Sequence, residues 1–187
     1  AGRAVVVAPD GSVYVTGVLG GIVDVVFGND AGGNPVTLKH PCNGDPQMFV
    51  AKYDAAGKPV WVAGTASSST SDTAQAGGYG IDVDAAGNVY VTGRFLGLNL
   101  RFCDADAARA ACPEAFCSEA LTSQNSTSGS QYTFDLFVAK YDSAGSIQWL
   151  TRAGNDSDVF VESEIGNSDA IDGTAVFVTG TLLGDTI

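Results

Sequence analysis

Few side chains in this 187-residue sequence are spaced for chemistry. The single histidine, His40, would have to serve any Ser–His–Asp triad, and no GxSxG nucleophile turn accompanies it. Acids are plentiful enough for a carboxylate pair acting on a polysaccharide, yet no pair stands out by spacing. The GGYG run at Gly77–Gly80 leads into a strand rather than a helix, so it lacks the N-terminal dipole that cradles phosphate. No catalytic or cofactor-binding residue is assigned on this basis. Calcium is the remaining metal reading: Asp82 and Asp84 resemble the start of an acidic loop, and Asp104 and Asp106 add an acidic cast further on. The further ligands and distal bidentate Glu of such a loop are missing, which favours turn chemistry for the first pair.

Cys42, Cys103, Cys112 and Cys117 all fall in irregular stretches and none in an apolar strand. An even number in loops points to disulfides and an oxidising compartment, whereas zinc would want a CxxC pair that is absent. Pairing of Cys103 with Cys112 or Cys117 is preferred because the three share one segment. The 21 acidic residues against 9 Lys and Arg give a net charge of −12, which repels nucleic-acid phosphates and anionic lipid surfaces. No apolar run approaches the roughly 20 residues of a membrane span; GIVDVVFG is broken by Asp24. The sequence begins at Ala1 without a Met or a charged-then-apolar leader, so any export signal is expected to have been removed or to lie outside it. An extracellular or cell-surface location is expected. Asn125 and Asn155 open glycan-acceptor triplets, relevant only in a glycosylating host.

The elements that must position these residues repeat along the chain. MFVAKYDAAGKPVW, from Met48 to Trp61, returns as LFVAKYDSAGSIQW from Leu136 to Trp149. VYVTG occurs at Val13–Gly17 and Val89–Gly93, and as VFVTG at Val176–Gly180. Such self-similarity is the mark of stacked supersecondary units that cannot bury their apolar surface alone. The periodicity is two, predicting first strands at Val5–Ala8 and Ile81–Asp84, and second strands at Ser12–Leu19 and Asn88–Leu96. Third strands are expected at Gln47–Asp54 and Asp135–Asp142, and fourth strands at Pro59–Gly64 and Ile147–Ala153. Large apolar residues on both strand faces fit sheets sandwiched between neighbours. Phe49, Trp61, Tyr90, Phe137, Trp149 and Phe177 are the expected packing residues between units. Gly11, Gly57, Gly87 and Gly145 close short hairpin loops where positive φ is needed, and Asp54 and Asp142 can accept backbone N–H bonds at the start of two of them. Lys52 and Lys140 recur within FVAKYD, which points to a structural role.

With GYGIDVDAAGNVYVTG and DLFVAKYDSAGSIQW as its two diagnostic halves, the chain resembles the SBBP-type β-propeller repeats of bacterial secreted and surface proteins. The resemblance spans nearly everything outside two insertions. It implies architecture rather than activity, since such repeats carry no family-wide catalytic motif. The third copy, NSDAIDGTAVFVTG, departs from the pattern by a shorter turn without GN.

The expected fold is therefore all-β, built from propeller blades of four antiparallel strands, with about two and a half blades in an incomplete ring or open array. Blade 1 covers residues 1–66 with an insertion at about 20–46, blade 2 covers 67–154 with an insertion at about 97–134, and 155–187 form the first half of blade 3. Both insertions lie between second and third strands, on one face of the array, where recognition commonly resides. In the second, Asp106 to Ala111 suggests one short helical turn before Pro113. The leading expectation is a non-catalytic extracellular scaffold and interaction module. Its partners would be the remainder of a longer propeller chain or copies of itself, with a protein or glycan ligand at the insertions. A self-assembling filament or surface-layer subunit, and a propeller enzyme acting on polysaccharide, are the alternatives.

Overall fold

A computed structural model of the chain describes residues 1–21, 23–39, 45–66, 74–97, 100–105, 117, 119–123, 134–154, 165–173 and 175–181. Its described elements are all strands: β1 (Gly2–Val7), β2 (Val13–Leu19), β3 (Val25–Asn29), β4 (Pro35–Leu38), β5 (Gln47–Tyr53), β6 (Pro59–Ala66), β7 (Gln75–Val83), β8 (Val89–Leu96), β9 (Leu100–Phe102), β10 (Glu119–Leu121), β11 (Asp135–Tyr141), β12 (Ile147–Ala153), β13 (Ile165–Asp172) and β14 (Ala175–Thr181). They form several antiparallel sheets, none closed on itself.

The repeated sequence produces repeated topology. Strands β1-β2-β5-β6 make one meander and β7-β8-β11-β12 a second, while β13 pairs with β14. The pairings are in register by repeat: Gly17 faces Phe49 as Gly93 faces Phe137, and Lys52 faces Trp61 as Lys140 faces Trp149. Each first strand carries a bulge, at Gly2/Ala4, Gly78/Gly80 and Gly166/Ser168. In the third hairpin Asp172 pairs with Ala175, and Gly173 beyond it has a φ of 61°.

The hairpin turns follow from their aspartates. Asp54 Oδ1 accepts the backbone N–H groups of Ala56 and Lys58 at 2.9 and 2.8 Å, and Asp142 Oδ1 those of Ala144 and Ser146 at 2.9 and 3.0 Å. Three residues on, Gly57 and Gly145 sit at φ of 76° and 88°, a region costly for any side chain with a Cβ. Gly11 and Gly87 occupy the matching turns at 83° and 81°.

The core lies between the first two meanders. Tyr14, Val50, Trp61 and Ala63 of the first pack with Ile81, Val91, Phe137 and Tyr141 of the second in one continuous buried cluster. The opposite face of the first meander forms a second cluster, in which Phe49, Ala51 and Val62 are covered by Val36 and Leu38 of β4 and by Phe27 of β3. The β13–β14 hairpin packs on β7 and β8, so the sheets stack in chain order.

Two segments that sequence patterning leaves irregular contain strands. The first insertion folds β3 and β4 as a hairpin over the outer face of the first meander. In the second insertion, β9 pairs with β6 through Thr65–Phe102 and Ala66–Arg101, and β10 pairs with β9. The second unit thereby extends the sheet of the first to six strands.

Candidate interaction surface

Stacking of successive units depends on small residues meeting a threonine. Thr16 Oγ1 donates to Phe49 O at 2.7 Å and Thr92 Oγ1 to Phe137 O at 3.0 Å, so each hydroxyl is satisfied inside its own sheet. The next unit places a glycine directly on it: a Cβ at Gly78 would collide with Thr16 Oγ1, and one at Gly166 with Thr92 Oγ1. The VTG repeat and the glycine before each bulge are two halves of one contact.

Towards the outer strands, a turn does the covering. Trp61 Nε1 donates to Ser143 O at 3.1 Å and Lys52 Nζ to the same carbonyl at 3.3 Å, while a Cβ on Gly145 would lie 2.9 Å from the Trp61 ring. Tyr14 stands beside Trp61 with ring centres 6.0 Å apart, and its hydroxyl points at Gly87 O, 3.5 Å away. The Asp142–Gly145 turn of the second unit is thus a lid on the aromatic pair of the first, and Trp61 is left 4% exposed.

The second unit repeats the pair, but among the described residues no turn hydrogen-bonds Trp149 as the Asp142–Gly145 turn does Trp61. Tyr90 and Trp149 again have ring centres 6.0 Å apart, and Lys140 Nζ lies 5.0 Å from the Tyr90 ring as Lys52 Nζ lies 5.3 Å from Tyr14. Trp149 is nevertheless 37% exposed, and Phe177, which stands at the Tyr14 position of the third copy, is 57% exposed. Of the expected packing residues, Trp61 and Phe137 are buried in the cluster between the first two meanders, Tyr90 is buried, Phe49 is buried under the β3–β4 hairpin, and Trp149 and Phe177 are partly exposed.

The insertions converge on the third strands in the same way. Phe27 meets Phe49 with ring centres 5.2 Å apart, and Phe102 meets Phe137 at 4.9 Å. A disulfide joins Cys103 to Cys117, and Cys103 N–H donates to Gly64 O at 3.0 Å. The second insertion is therefore tied to β6 by backbone hydrogen bonds and closed on itself by the cross-link. Cys42 and Cys112 lie outside the described residues, as do His40, Asp106, the expected short helical turn, Asn125 and Asn155.

Three of the candidate calcium acids, Asp82, Asp84 and Asp104, accept hydrogen bonds from the backbone. Asp84 accepts from Ala86 N–H, Asn88 N–H and side chain, and Tyr90 Oη. These hydrogen bonds outweigh its partial burial and lower its carboxyl below the usual range. Asp82 accepts from Val83 N–H at 2.8 Å and from Ile171 N–H at 2.9 Å, joining the second unit to the third. Asp104 accepts Ile147 N–H at 2.7 Å. Among the described residues no three metal-ligating side chains gather at one point.

Sequence reasoning passes over Asp169. Burial, and then the nearby charge of Asp82, push its carboxyl up to about 7, and neither oxygen has a hydrogen-bond partner among the described residues. Its register, opposite Val178, is that of Ile81 opposite Val91 and Val5 opposite Val15. Alignment of the three first strands on their bulges is the signal that exposes it.

No protein-family model matches the chain, and no curated protein matches it. Among the described residues no helix is long and apolar enough to cross a membrane.

Proposed function

We propose that this chain is a non-catalytic β-propeller-type repeat segment of the SBBP kind, acting outside the cell as a scaffold whose flank receives a further unit. The observation that carries this reading is the contrast between Trp61, lidded by the Asp142–Gly145 turn, and Trp149, the same residue one unit later and open. A large indole beside a tyrosine, with a lysine already over the ring, forms a surface complementary to a D-x-x-G hairpin. The disulfide supports the extracellular setting, because such bonds persist in oxidising compartments. The two insertions, both anchored through a phenylalanine on the third strand, present the variable contact face.

A second reading, assembly from copies of the chain into a fibre or layer, draws on the same open flank and on Val5 and Val7, which are 64% and 63% exposed at the other end. Light scattering and negative-stain electron microscopy of the native material test both. The scaffold reading expects discs or fibres with a mass well above the 19.0 kDa of this chain. A monodisperse particle of that single-chain mass, with both flanks in water, overturns both.

A further inference from the structure

A cavity of about 200 Å³ opens between the first two meanders, at the end where the insertions leave the sheets. Arg3 and Arg94 line it, together with Tyr79 and Phe134. Both guanidinium carbons lie 5.6 Å from the centre of the Tyr79 ring, and that of Arg94 is also 4.1 Å from the centre of Phe134. Tyr79 is the extra residue of the β7 bulge and Arg3 that of the β1 bulge, so irregularity of the backbone brings them side by side.

The charge balance makes this pairing unusual. The chain holds 9 Lys and Arg against 21 acids, yet two arginines share one cavity and no described carboxylate pairs with either. Stacking on aromatic rings occupies the faces of a guanidinium and leaves its N–H edge free in the plane. Arg94, 4.1 Å from the centre of Phe134 and 5.6 Å from that of Tyr79, is held by contacts that use none of its N–H donors, the groups that can bind a carboxylate through two parallel hydrogen bonds. Arg3 supplies a second cation from the neighbouring sheet.

We propose that this cavity binds a small monocarboxylate on a ring the size of a monosaccharide, with Arg94 as the carboxylate ligand and Arg3 as the supporting charge. The volume is below the roughly 300–1,000 Å³ of a drug-sized site, which suits one sugar ring. A net charge of −12 disfavours polyvalent anions approaching the surface, so one charge met by two local cations is the better match. The site deepens the scaffold reading by giving its insertion face a ligand class, and it stands or falls independently of how the flanks are covered.

Titration calorimetry at constant ionic strength, with D-glucuronate, D-glucose and inorganic sulfate as probes, tests it on the intact chain. The expected result is saturable glucuronate binding that weakens tenfold or more in Arg94→Gln and in Arg3→Gln, with no binding of glucose. Arg3 is exposed, so its variant keeps the test decisive should Arg94→Gln unfold, which its circular dichroism reports. Absence of saturable glucuronate binding, equal binding of glucose, equal binding of sulfate, or affinity unchanged in both variants overturns the assignment.

Discussion

Asp169 shows how one residue can oppose the pattern around it. At the register of Ile81 and Val5 it puts a carboxyl where its counterparts carry aliphatic groups, close to the charge of Asp82 and without a hydrogen-bond donor among the described residues. Its folded-state value of about 7 stands above the ordinary 3.8, so the folded protein holds this proton more tightly than the unfolded chain. The associated stability is fully present below the ordinary value and is lost as pH rises through about 7. Asp169→Val removes that dependence: relative to the parent it gains stability on the order of 2 kcal/mol at pH 8 and progressively less as pH falls towards 4. Paired urea melts at those two pH values check it, and an equal difference at both contradicts it. The turn residues were far more legible than Asp169. A D-x-x-G turn is decided within five residues, whereas the burial of Asp169 depends on which sheet lies against it.

Strands that recur were readable because repetition supplies its own control. The eight strands of the first two copies stand where the VYVTG and FVAKYD alignments put them, except that both first strands begin earlier than expected, β1 at Gly2 and β7 at Gln75, where the glycines Gly77 to Gly80 form part of it. The insertion strands were hidden. Strands β9 and β10 have three residues each, too few for alternation to register, and β9 exists because the edge of β6 offers unpaired backbone groups. The second insertion is thus a sheet extension as much as a loop, and its disulfide locks that extension in place. At this scale the contact between Thr16 and Gly78 is the most exposed to test. Gly78→Ala forces a methyl group against Thr16 Oγ1 and is expected to cost about 1–3 kcal/mol, as overpacking does. In a Thr16→Ala background the same substitution costs at least about 1 kcal/mol less, because the obstructing hydroxyl is gone. Denaturant melts of the four proteins give the coupling; additive effects contradict an interlock between the sheets.

Across the whole molecule, strands apolar on both faces pointed to sheets shielding one another, and the first two meanders do share one core. Sequence could not say how each flank is finished, because that depends on where the insertions settle. The first insertion covers the outer strands of the front face with Val36, Leu38 and Phe27, leaving Val5 and Val7 exposed at the inner strand. The far flank shows Trp149 and Phe177 instead. On that flank Trp149 repeats the position of Trp61, which the Asp142–Gly145 turn covers within the chain. The most direct measurement adds a synthetic peptide of residues 135–153 carrying Trp149→Phe to the intact protein and follows tryptophan emission. Trp61 is already shielded, so a change reports on Trp149. A saturable blue shift with a several-fold fall in acrylamide quenching, absent with a scrambled peptide, is the predicted result. Emission and quenching that stay constant, or that respond equally to the scrambled peptide, would contradict the claim that this flank is built to receive another hairpin of the same repeat.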